Sequence, residues 1–221
     1  MKILALEFSS PQRSVAIVQG GSEAAQAYEV IQTGARIANG LGMIADVLSQ
    51  AMLEREQIQC LAIALGPGSY NGIRSAIALA QGWQLARGDQ RIKLLGISSV
   101  ECLAAQAQTD GIKGRVEVVI DAQREELYVA GYKIEADGRR EIDPLKLATL
   151  VEVRAREQAG GLVIGPEVSK WFPAGRIIFP RAATLGQLAL ARNDFVSGER
   201  LEPIYLRETK FVKAPPSRNF S

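Results

Sequence analysis

The amino-terminal runs ILALEF (residues 3–8), SVAIV (14–18) and AAQAYEV (24–30) decide the fold that this sequence predicts. Each run is apolar or rich in β-branched residues, which is typical of strands. The connecting stretches SSPQ (9–12) and QGGS (19–22) have the composition of tight turns. Together these residues predict a meander of three antiparallel strands.

Helices and strands alternate after this meander. Apolar periodicity predicts a helix that begins near Arg36 and ends near Leu53, followed by a strand at 61–65 and a helix at 71–86. A strand at 92–97 follows. The pattern SSVE (98–101) resembles a capping box that opens a third helix, which ends near Gln106.

The second half of the chain begins in the same way. The pattern predicts strands at 116–121 and 126–134, a hairpin element at 138–142, a helix at 144–158, strands at 162–164 and 176–179, a short helix at 168–172 and a helix at 183–192. The predicted fold class is therefore α/β with two related subdomains, residues 1–110 and 111–221, that meet near GIKG (111–114). The tail (214–221) has linker composition and is expected to be mobile.

Composition excludes several classes of protein. The chain has 221 residues, of which 47% are hydrophobic and 23% charged, so it can bury a core and is not a disordered or disulfide-stapled chain. A net charge of +2 gives no general attraction to nucleic acid or membrane. The longest uncharged stretch, residues 75–86, is too short to span a bilayer. We expect a soluble cytoplasmic protein.

The absence of histidine removes whole mechanisms. The sequence contains no histidine, which excludes Ser-His-Asp and Cys-His nucleophile pairs and every zinc site that needs an imidazole. It contains two cysteines, Cys60 and Cys102, so a four-cysteine metal site is also excluded. Both cysteines lie in apolar stretches, which favours buried free thiols.

The first predicted helix has an unusually wide apolar arc. One face carries the predicted core residues, Ile37, Leu41, Ile44, Leu48, Ala51 and Met52. A second face beside it carries Gly40, Met43 and Val47. A helix that lies on a sheet needs only one apolar face. Either this helix is buried on two sides within the chain, or it presents one side to another chain.

The second predicted helix has no charge between Ser75 and Ala86, and half of these residues are small. Small residues allow a neighbouring backbone to come close on more than one side. Trp83 and Tyr70 are potential base-stacking residues on an RNA, but few basic residues surround them, and packing or a protein interface is the favoured interpretation.

The stretch GPGSYNGIR (66–74) lies at a strand-to-helix junction. Its glycines and the helix N-terminus are compatible with an anion site, and equally with a tight turn in which Ser69 or Asn71 caps the helix. Because the spacing matches neither a P-loop nor GxGxxG, the residues alone favour the structural turn.

Three acidic residues of the second half are candidate site residues. Asp121 ends an apolar strand, so it either faces a ligand or bonds to the turn that follows; the residues leave both open. Glu125 and Glu126, treated as neighbours on a strand, point to opposite faces and do not form an acid–base pair.

Four ordered motifs resemble the TsaB (YeaZ) family. GPGSYNGIR (66–74) is similar to that family's GPGSFTGLR, and LGISSVECLA (95–104) contains a segment similar to GISSLEALA. IDAQREELY (120–128) resembles IDARRGEVY, and PIYLR (203–207) resembles PVYLR. These matches extend over most of the chain.

The resemblance implies an actin-like, sugar-kinase-like and Hsp70-like ATPase fold, and a role in making threonylcarbamoyladenosine in tRNA. It implies a non-catalytic chain, without catalytic residues, metal or cofactor of its own, that binds a TsaD-like protein and works with a TsaE-like ATPase. The sequence leaves open whether the isolated chain is a monomer or a homodimer, and tRNA is expected to be contacted only through the complex. The hypothesis places partner binding on the two early helices, at Arg36, Gly40, Met43, Val47, Arg74, Ser75, Ala78, Leu79, Gly82 and Trp83.

The chain departs from the family pattern at two places. Glu7-Phe8-Ser9-Ser10 stands where the family usually has an Asp-Thr/Ser pair, and residues 34–39 (GARIAN) lack its His-Ser pair. The alternative function is an independent ATPase or small-molecule kinase of the same fold, with Glu7 and Asp121 as candidate metal ligands. A peptidase is disfavoured, because no nucleophile is paired with a base.

Overall fold

A computed structural model describes residues 1–21, 25–34, 39–88 and 92–206. Two five-stranded sheets form its framework. The first sheet has the strand order β3-β2-β1-β4-β5, and the second has the order β8-β7-β6-β9-β10. The strands are β1 (Lys2–Glu7), β2 (Gln12–Gln19), β3 (Gln26–Thr33), β4 (Cys60–Ala64), β5 (Lys93–Ile97), β6 (Gly114–Asp121), β7 (Glu126–Ile134), β8 (Arg139–Thr149), β9 (Leu162–Gly165) and β10 (Arg176–Ile177).

The two sheets have the same topology. In each, three antiparallel strands form a meander, and the first of them also pairs in parallel with the fourth strand. The fifth strand pairs in parallel with the fourth. The predicted meander is thus confirmed in both halves. So is the predicted fold class, an α/β protein of two related subdomains with the duplicated sheet of an actin-like fold.

In the described part of the chain, five α-helices complete the layers: α1 (Gly40–Gln50), α2 (Tyr70–Ala86), α3 (Ser99–Thr109), α4 (Leu150–Gln158) and α5 (Ala182–Leu190). Helices α1 and α2 cover the outer face of the first sheet, where they share a core with β1, β2 and β4. Helix α4 covers the outer face of the second sheet. Helices α3 and α5 lie between the sheets and contact each other.

The C-terminal part of the chain returns to the first sheet. Helix α5 packs on β1 and β2, and a Cβ at Gly186 would lie 2.4 Å from Val18. Val196 pairs with Leu94, and Leu201 is buried in the core of the first subdomain. The predicted boundary at 110/111 therefore separates the two sheets but not the two cores, because residues 182–206 pack with the N-terminal half.

Two predicted helix starts differ from the structure. Helix α1 begins at Gly40 rather than near Arg36, because the Asn39 side chain accepts a hydrogen bond from the Gly42 amide at 2.9 Å and caps it there. Residues 35–38 lie outside the described residues. The helix predicted at 144–158 begins only at Leu150, because residues 144–149 extend the edge strand β8.

A capping box sets the start of α4, whereas the capping box predicted before α3 does not form. The Thr149 side chain accepts from the Glu152 amide while the Glu152 carboxylate accepts from the Thr149 amide, so a complete box opens α4. The box predicted at 98–101 does not form: Ser98 makes no side-chain cap, and Glu101 pairs with Arg192 at 3.0 Å instead.

No helix of the described part of the chain is both long and apolar enough to cross a membrane.

Candidate functional site

The outward side of α2 carries a continuous uncharged seam. Five of the exposed residues of α2 follow each other at spacings of four and three: Asn71, Ser75, Ala78, Gly82 and Leu85. This alternation is the repeat by which one helix meets another side by side. Leu85, at the C-terminal end of this row, is 81% exposed. The seam therefore has the pattern of a helix-packing surface without a helix on it in the described chain.

Helix α1 extends this surface. Leu41 is 63% exposed, and Ala45, one turn later, is exposed too. Because α1 and α2 cover the same face of the first sheet, their exposed sides form one outer surface, which we call the α1–α2 face (the seam of α2 with Leu41 and Ala45). Exposed apolar surface of this kind marks an interaction site more often than not.

The structure divides the residues that were predicted to bind a partner. Arg74, Ser75, Ala78 and Gly82 are exposed on α2, whereas Leu79 and Trp83 are half-buried and pack against the core. Gly40 is buried, and a Cβ at this position would lie 3.1 Å from the Leu79 side chain. Arg36 lies outside the described residues.

The prediction that Met43 and Val47 point outward is wrong. Both side chains are fully buried in the core of the first subdomain. Conversely, Leu41 and Met52, which were predicted to be core residues, are exposed. The apolar arc of α1 is wide enough for the helix to pack on the sheet in more than one rotation about its axis. In the structure, the face that packs on the sheet is centred on Met43, Ile44 and Val47. This is the first of the two alternatives that the sequence left open for α1.

One charged residue lies on α2, and aromatic rings hold it in place. Arg74 donates a hydrogen bond from Nη1 to the Tyr70 hydroxyl at 2.9 Å, and its guanidinium carbon lies 5.2 Å from the centre of the Tyr70 ring. The Tyr70 ring stacks on Tyr205, with ring centres 5.7 Å apart. Burial raises the pKa of Tyr205, as does neighbouring Tyr70, while Arg74 opposes the rise. No described acidic residue forms an ion pair with Arg74.

Tyr205 reaches this place because the C-terminal segment is fixed along α2. The side chain of Gln81 donates to the Gly198 carbonyl at 2.9 Å, and the Gln84 side chain accepts from the Gly198 amide at 3.1 Å. The Ile204 amide donates to the Leu65 carbonyl at 2.8 Å. In the sequence, the only signal for Tyr205 is its place in the PIYLR motif (203–207).

A cleft of about 610 Å³ lies between the subdomains. The turn after β1, the N-terminus of α2, the β6–β7 turn and the three tyrosines Tyr70, Tyr128 and Tyr205 line it. Arg13 also lines it, with its guanidinium over the Phe8 ring and with Nη1 buried and lacking a hydrogen-bond partner among the described residues. Cavities of this size accommodate small molecules.

The glycines of the 66–74 loop serve backbone packing. A Cβ at Gly68 would lie 2.1 Å from the Ser9 carbonyl oxygen, and one at Gly72 would lie 1.9 Å from that of Phe8. The Ser69 amide donates to the Ser9 carbonyl at 2.7 Å, and the Ser69 hydroxyl accepts from the Gly72 amide. Carbonyl oxygens thus occupy the space that an anion needs against these two glycines, and the structural turn with Ser69 as cap is confirmed.

Glu7 is fully buried at the end of β1. Its Oε1 accepts from the Ser9 amide at 2.7 Å, whereas Oε2 has no hydrogen-bond partner among the described residues. Burial raises the pKa of Glu7 to about 7, and hydrogen bonding from Ser9 only partly offsets the effect. Glu7 does not line the cleft.

Asp121 does line the cleft, at the end of β6, and it also bonds to the turn. Its Oδ1 accepts from the Gln123 amide at 2.7 Å, and its Oδ2 lies 3.8 Å from the Lys170 ammonium. The bond to the turn is therefore confirmed, whereas contact with a ligand stays a prediction. Within the described ranges, no three His, Cys, Asp or Glu side chains lie close enough together to hold a metal ion.

The β6–β7 turn separates the two neighbouring glutamates. Gln123, Arg124 and Glu125 all have positive φ angles, between 56° and 63°, so Glu125 belongs to a left-handed turn and not to a strand. Strand β7 begins at Glu126. The premise that both residues lie on a strand was therefore wrong.

The two cysteines are buried and unpaired, as predicted. Burial raises the pKa of Cys60 to about 11 and also raises that of Cys102. Thiols with raised pKa values form little thiolate at neutral pH.

Comparisons with known proteins point in one direction. The model of the family described as "TsaD: tRNA N6-adenosine threonylcarbamoyltransferase" matches residues 36–206. The tRNA threonylcarbamoyladenosine biosynthesis proteins TsaB of Escherichia coli K12 and Haemophilus influenzae are each 27% identical to the chain. The alignments cover 99% of this chain in both cases, and 100% and 98% of those proteins.

A solved structure gives the same result. A Pseudomonas aeruginosa protein, described as uncharacterized with similarity to peptidase YEAZ, superposes with a TM-score of 0.78 at 26% identity. The alignment covers 93% of this chain and 99% of that one. The similarity therefore extends through both subdomains.

Proposed function

This chain belongs to the TsaB (YeaZ) branch of the family that the TsaD model describes, and from that premise we propose that it is a non-catalytic subunit for threonylcarbamoyl modification of tRNA. In this proposal the α1–α2 face binds a TsaD-like protein that carries out the transfer. The observation that carries the proposal is the exposed seam of α2, which has helix-packing spacing and no charge from Ser75 to Ala86.

The chemistry of the seam supports a protein partner. Ala78 and Gly82 leave room for a second backbone to approach closely, and Leu41 and Leu85 at its margins offer apolar area to bury. Charged residues are depleted in the centre of protein interfaces, as they are here. We further propose that a TsaE-like ATPase and tRNA join this pair, and that the isolated chain self-associates through the same face.

We assign catalysis to the partner because this chain offers few groups that could carry out the transfer. It has no histidine to serve as a base, and the glycine loop of residues 66–74 is closed against the turn after β1. The acidic group at the cleft, Asp121, is engaged by the Gln123 amide and by Lys170. A subunit whose task is docking needs none of these groups for chemistry.

The deciding experiment is a pair of matched substitutions. Ala78→Asp places a carboxylate in the centre of the seam, and binding must then desolvate an unpaired charge. We expect affinity for the co-expressed TsaD-like protein, measured by titration calorimetry, to fall by about 100-fold or more. Ala155→Asp makes the same change at an exposed alanine of α4 and is expected to leave affinity unchanged.

Activity provides the second readout. Reconstitution with the TsaD-like and TsaE-like proteins is expected to yield threonylcarbamoyladenosine in tRNA, detected by mass spectrometry, with the wild type and with Ala155→Asp. Product is expected to be lost with Ala78→Asp while circular dichroism shows a folded chain. Equal affinity and equal product for the two variants would contradict the proposal.

A second candidate function is nucleotide binding in the cleft, which its volume and the position of Asp121 favour. Calorimetry of the isolated chain with ATP and Mg²⁺ separates the two candidates. Micromolar binding with turnover, both weakened by Asp121→Asn, supports an independent ATPase. The proposed docking function predicts no turnover by the chain alone.

A further inference from the structure

A positively charged side chain, Arg74, lies at one end of the α1–α2 face, and no acidic residue of the described chain forms an ion pair with it. Arg74 is the one charged residue in the sequence of α2, and it is exposed. It lies one turn before Ala78 on the same side of the helix. No described acidic residue pairs with it, although Arg115, Arg156, Arg181 and Arg192 all form ion pairs.

The Arg74 guanidinium is nevertheless held in one orientation. Its hydrogen bond to the Tyr70 hydroxyl and its position over the Tyr70 ring fix it from one side. The Tyr70 ring in turn stacks on Tyr205, at an interplanar angle of 30°. Holding a long side chain in place before binding lowers the entropy lost on association.

Tyr205 is anchored from the opposite end of the chain. The segment that carries it is fixed by Val196 on Leu94, by Gly198 on α2, by buried Leu201 and by the Ile204–Leu65 hydrogen bond. Since Tyr205 is about half exposed, its ring supports Tyr70 and Arg74 without burying them. The last described residues of the chain therefore shape the docking surface of the first subdomain.

We propose that Tyr205 is a positioning residue that holds Arg74 ready for a carboxylate on the helix of the TsaD-like partner. This inference rests on the proposed function. Its basis is charge complementarity: burying an arginine in an interface without a counter-charge is unfavourable, whereas a paired, pre-oriented arginine is a frequent hot spot. The partner helix that fits is one with small residues opposite the seam and an acidic residue opposite Arg74.

The test measures partner affinity for Arg74→Gln, Tyr205→Ala, Tyr205→Phe and the double variant Arg74→Gln/Tyr205→Ala, each at low and high NaCl. We expect Arg74→Gln to weaken partner binding by about 10-fold and to remove most of the dependence of the affinity on NaCl concentration. Tyr205→Ala is expected to weaken binding by about 5-fold, whereas Tyr205→Phe keeps the stacked ring and binds normally. Arg154→Gln, an exposed position on α4, is the control.

Non-additivity identifies the positioning role. If Tyr205 acts through Arg74, the double variant binds no more weakly than Arg74→Gln. If the two losses instead multiply, Tyr205 acts by another route and the proposal is overturned. Unchanged affinity and salt dependence for Arg74→Gln also overturn it. Thermal unfolding of each variant verifies that a folded chain was measured.

The outcomes distinguish this inference from the proposed function. Loss of binding with Ala78→Asp but not with Arg74→Gln overturns the inference alone. If Ala78→Asp also leaves binding intact, the proposed function fails and the inference fails with it. If Arg74→Gln dissociates a dimer of this chain but leaves partner affinity unchanged, Arg74 serves self-association, which again overturns the inference.

Discussion

Helices α2 and α4 both lie on the outer face of a sheet with the same strand order, although by its place in the chain α4 corresponds to α1. Their outward surfaces differ. Helix α4 carries Glu152, Arg154, Arg156 and Glu157 among nine residues, whereas the last twelve residues of α2 carry no charge. The outward surface of α4 is highly charged, whereas that of α2 is uncharged after Arg74, as the proposed docking function requires.

The difference teaches that duplication of a fold does not duplicate its surface. Strand pairing and the inward faces of the helices maintain the sheet, so they are constrained alike in both subdomains. The outward residues contribute little to the fold and are free to acquire a function. Partner binding is therefore expected on the first subdomain and not on the second.

Two buried glutamates extend the comparison into the central strands. Glu117 on β6 is fully buried and pairs with Arg115 at 2.7 Å and with Arg156 at 2.9 Å. Glu7 on β1 is equally buried, yet no described cation forms an ion pair with it. The second subdomain neutralises its buried carboxylate with arginines, while the first is left with a carboxyl that resists ionisation.

The largest expected effect compares two residues that were both predicted to lie in the docking surface. Met43→Ala removes a fully buried side chain and is expected to lower the free energy of unfolding by about 4 kcal/mol. Ala78→Asp, on the exposed seam, is expected to lower it by less than about 1 kcal/mol. Urea unfolding of the isolated chain measures both values.

Binding should respond in the opposite way to the same two substitutions. Folded Met43→Ala is expected to retain partner affinity, because its side chain does not reach the α1–α2 face. A larger stability loss for Ala78→Asp than for Met43→Ala would show that the seam is buried and would break the comparison between the two outer surfaces.

The next effect concerns Glu7 and depends on pH. Its pKa is raised from 4.5 to about 7, so ionisation in the folded chain lowers stability by about 3 kcal/mol. Below pH 4.5 the carboxyl is protonated in both folded and unfolded states, and the penalty is absent. Between pH 4.5 and 7 the unfolded chain ionises first, so stability falls, and above pH 7 the deficit is constant.

Glu7→Gln removes this titration. The variant is expected to be more stable than the wild type at pH 8 and to approach it at pH 4.5, as measured by thermal unfolding across this range. The difference between the two chains isolates Glu7 from the other titrating groups. A constant difference at all pH values would show that Glu7 does not titrate in this window.

The smallest expected effect concerns the paired glutamate. Glu117→Gln removes the buried one of two carboxylates that Arg115 and Arg156 share and is expected to lower the free energy of unfolding by about 2 kcal/mol, a value reduced because Arg115 is partly exposed and Asp143 still pairs with both arginines. Partner affinity should not change, since this network lies beneath α4. Urea unfolding and calorimetry provide the two measurements.

The matched control is an exposed ion pair of the same sheet. Lys133 and Glu135 lie 3.1 Å apart, and both side chains are about half exposed, so Glu135→Gln is expected to change stability by less than about 0.5 kcal/mol. Equal losses for the two substitutions would mean that the Glu117 network contributes no more than a surface pair.

Local signals in the sequence predicted much of the fold. The strands of both meanders and the position of α2 followed from apolar runs and turn residues, because strand pattern and turn chemistry are local properties. The extent of α4 was recoverable as well, since Thr149 and Glu152 have capping-box spacing. The capping box predicted at Ser98 does not form, because Glu101 instead pairs with Arg192, a residue ninety-one positions away.

The exposed residues of the proposed docking surface were predicted only in part. The seam of α2 is readable from spacing and the absence of charge, and its exposure agrees. The rotation of α1 was not readable, because an arc with apolar residues on two adjacent faces fits a sheet in more than one way. The support of Arg74 by Tyr205 was not readable either, because it joins residues 131 positions apart.

The sequence by itself determined the order of the strands and helices, the duplicated α/β plan, the uncharged seam and the lack of histidine chemistry. These follow from local pattern and composition. The tertiary structure alone decided which face of α1 is buried, that α5 and the C-terminal segment pack on the first sheet, and that Tyr205 supports Arg74. Those facts depend on contacts between distant parts of the chain, whose free energies exist only once the layers are assembled.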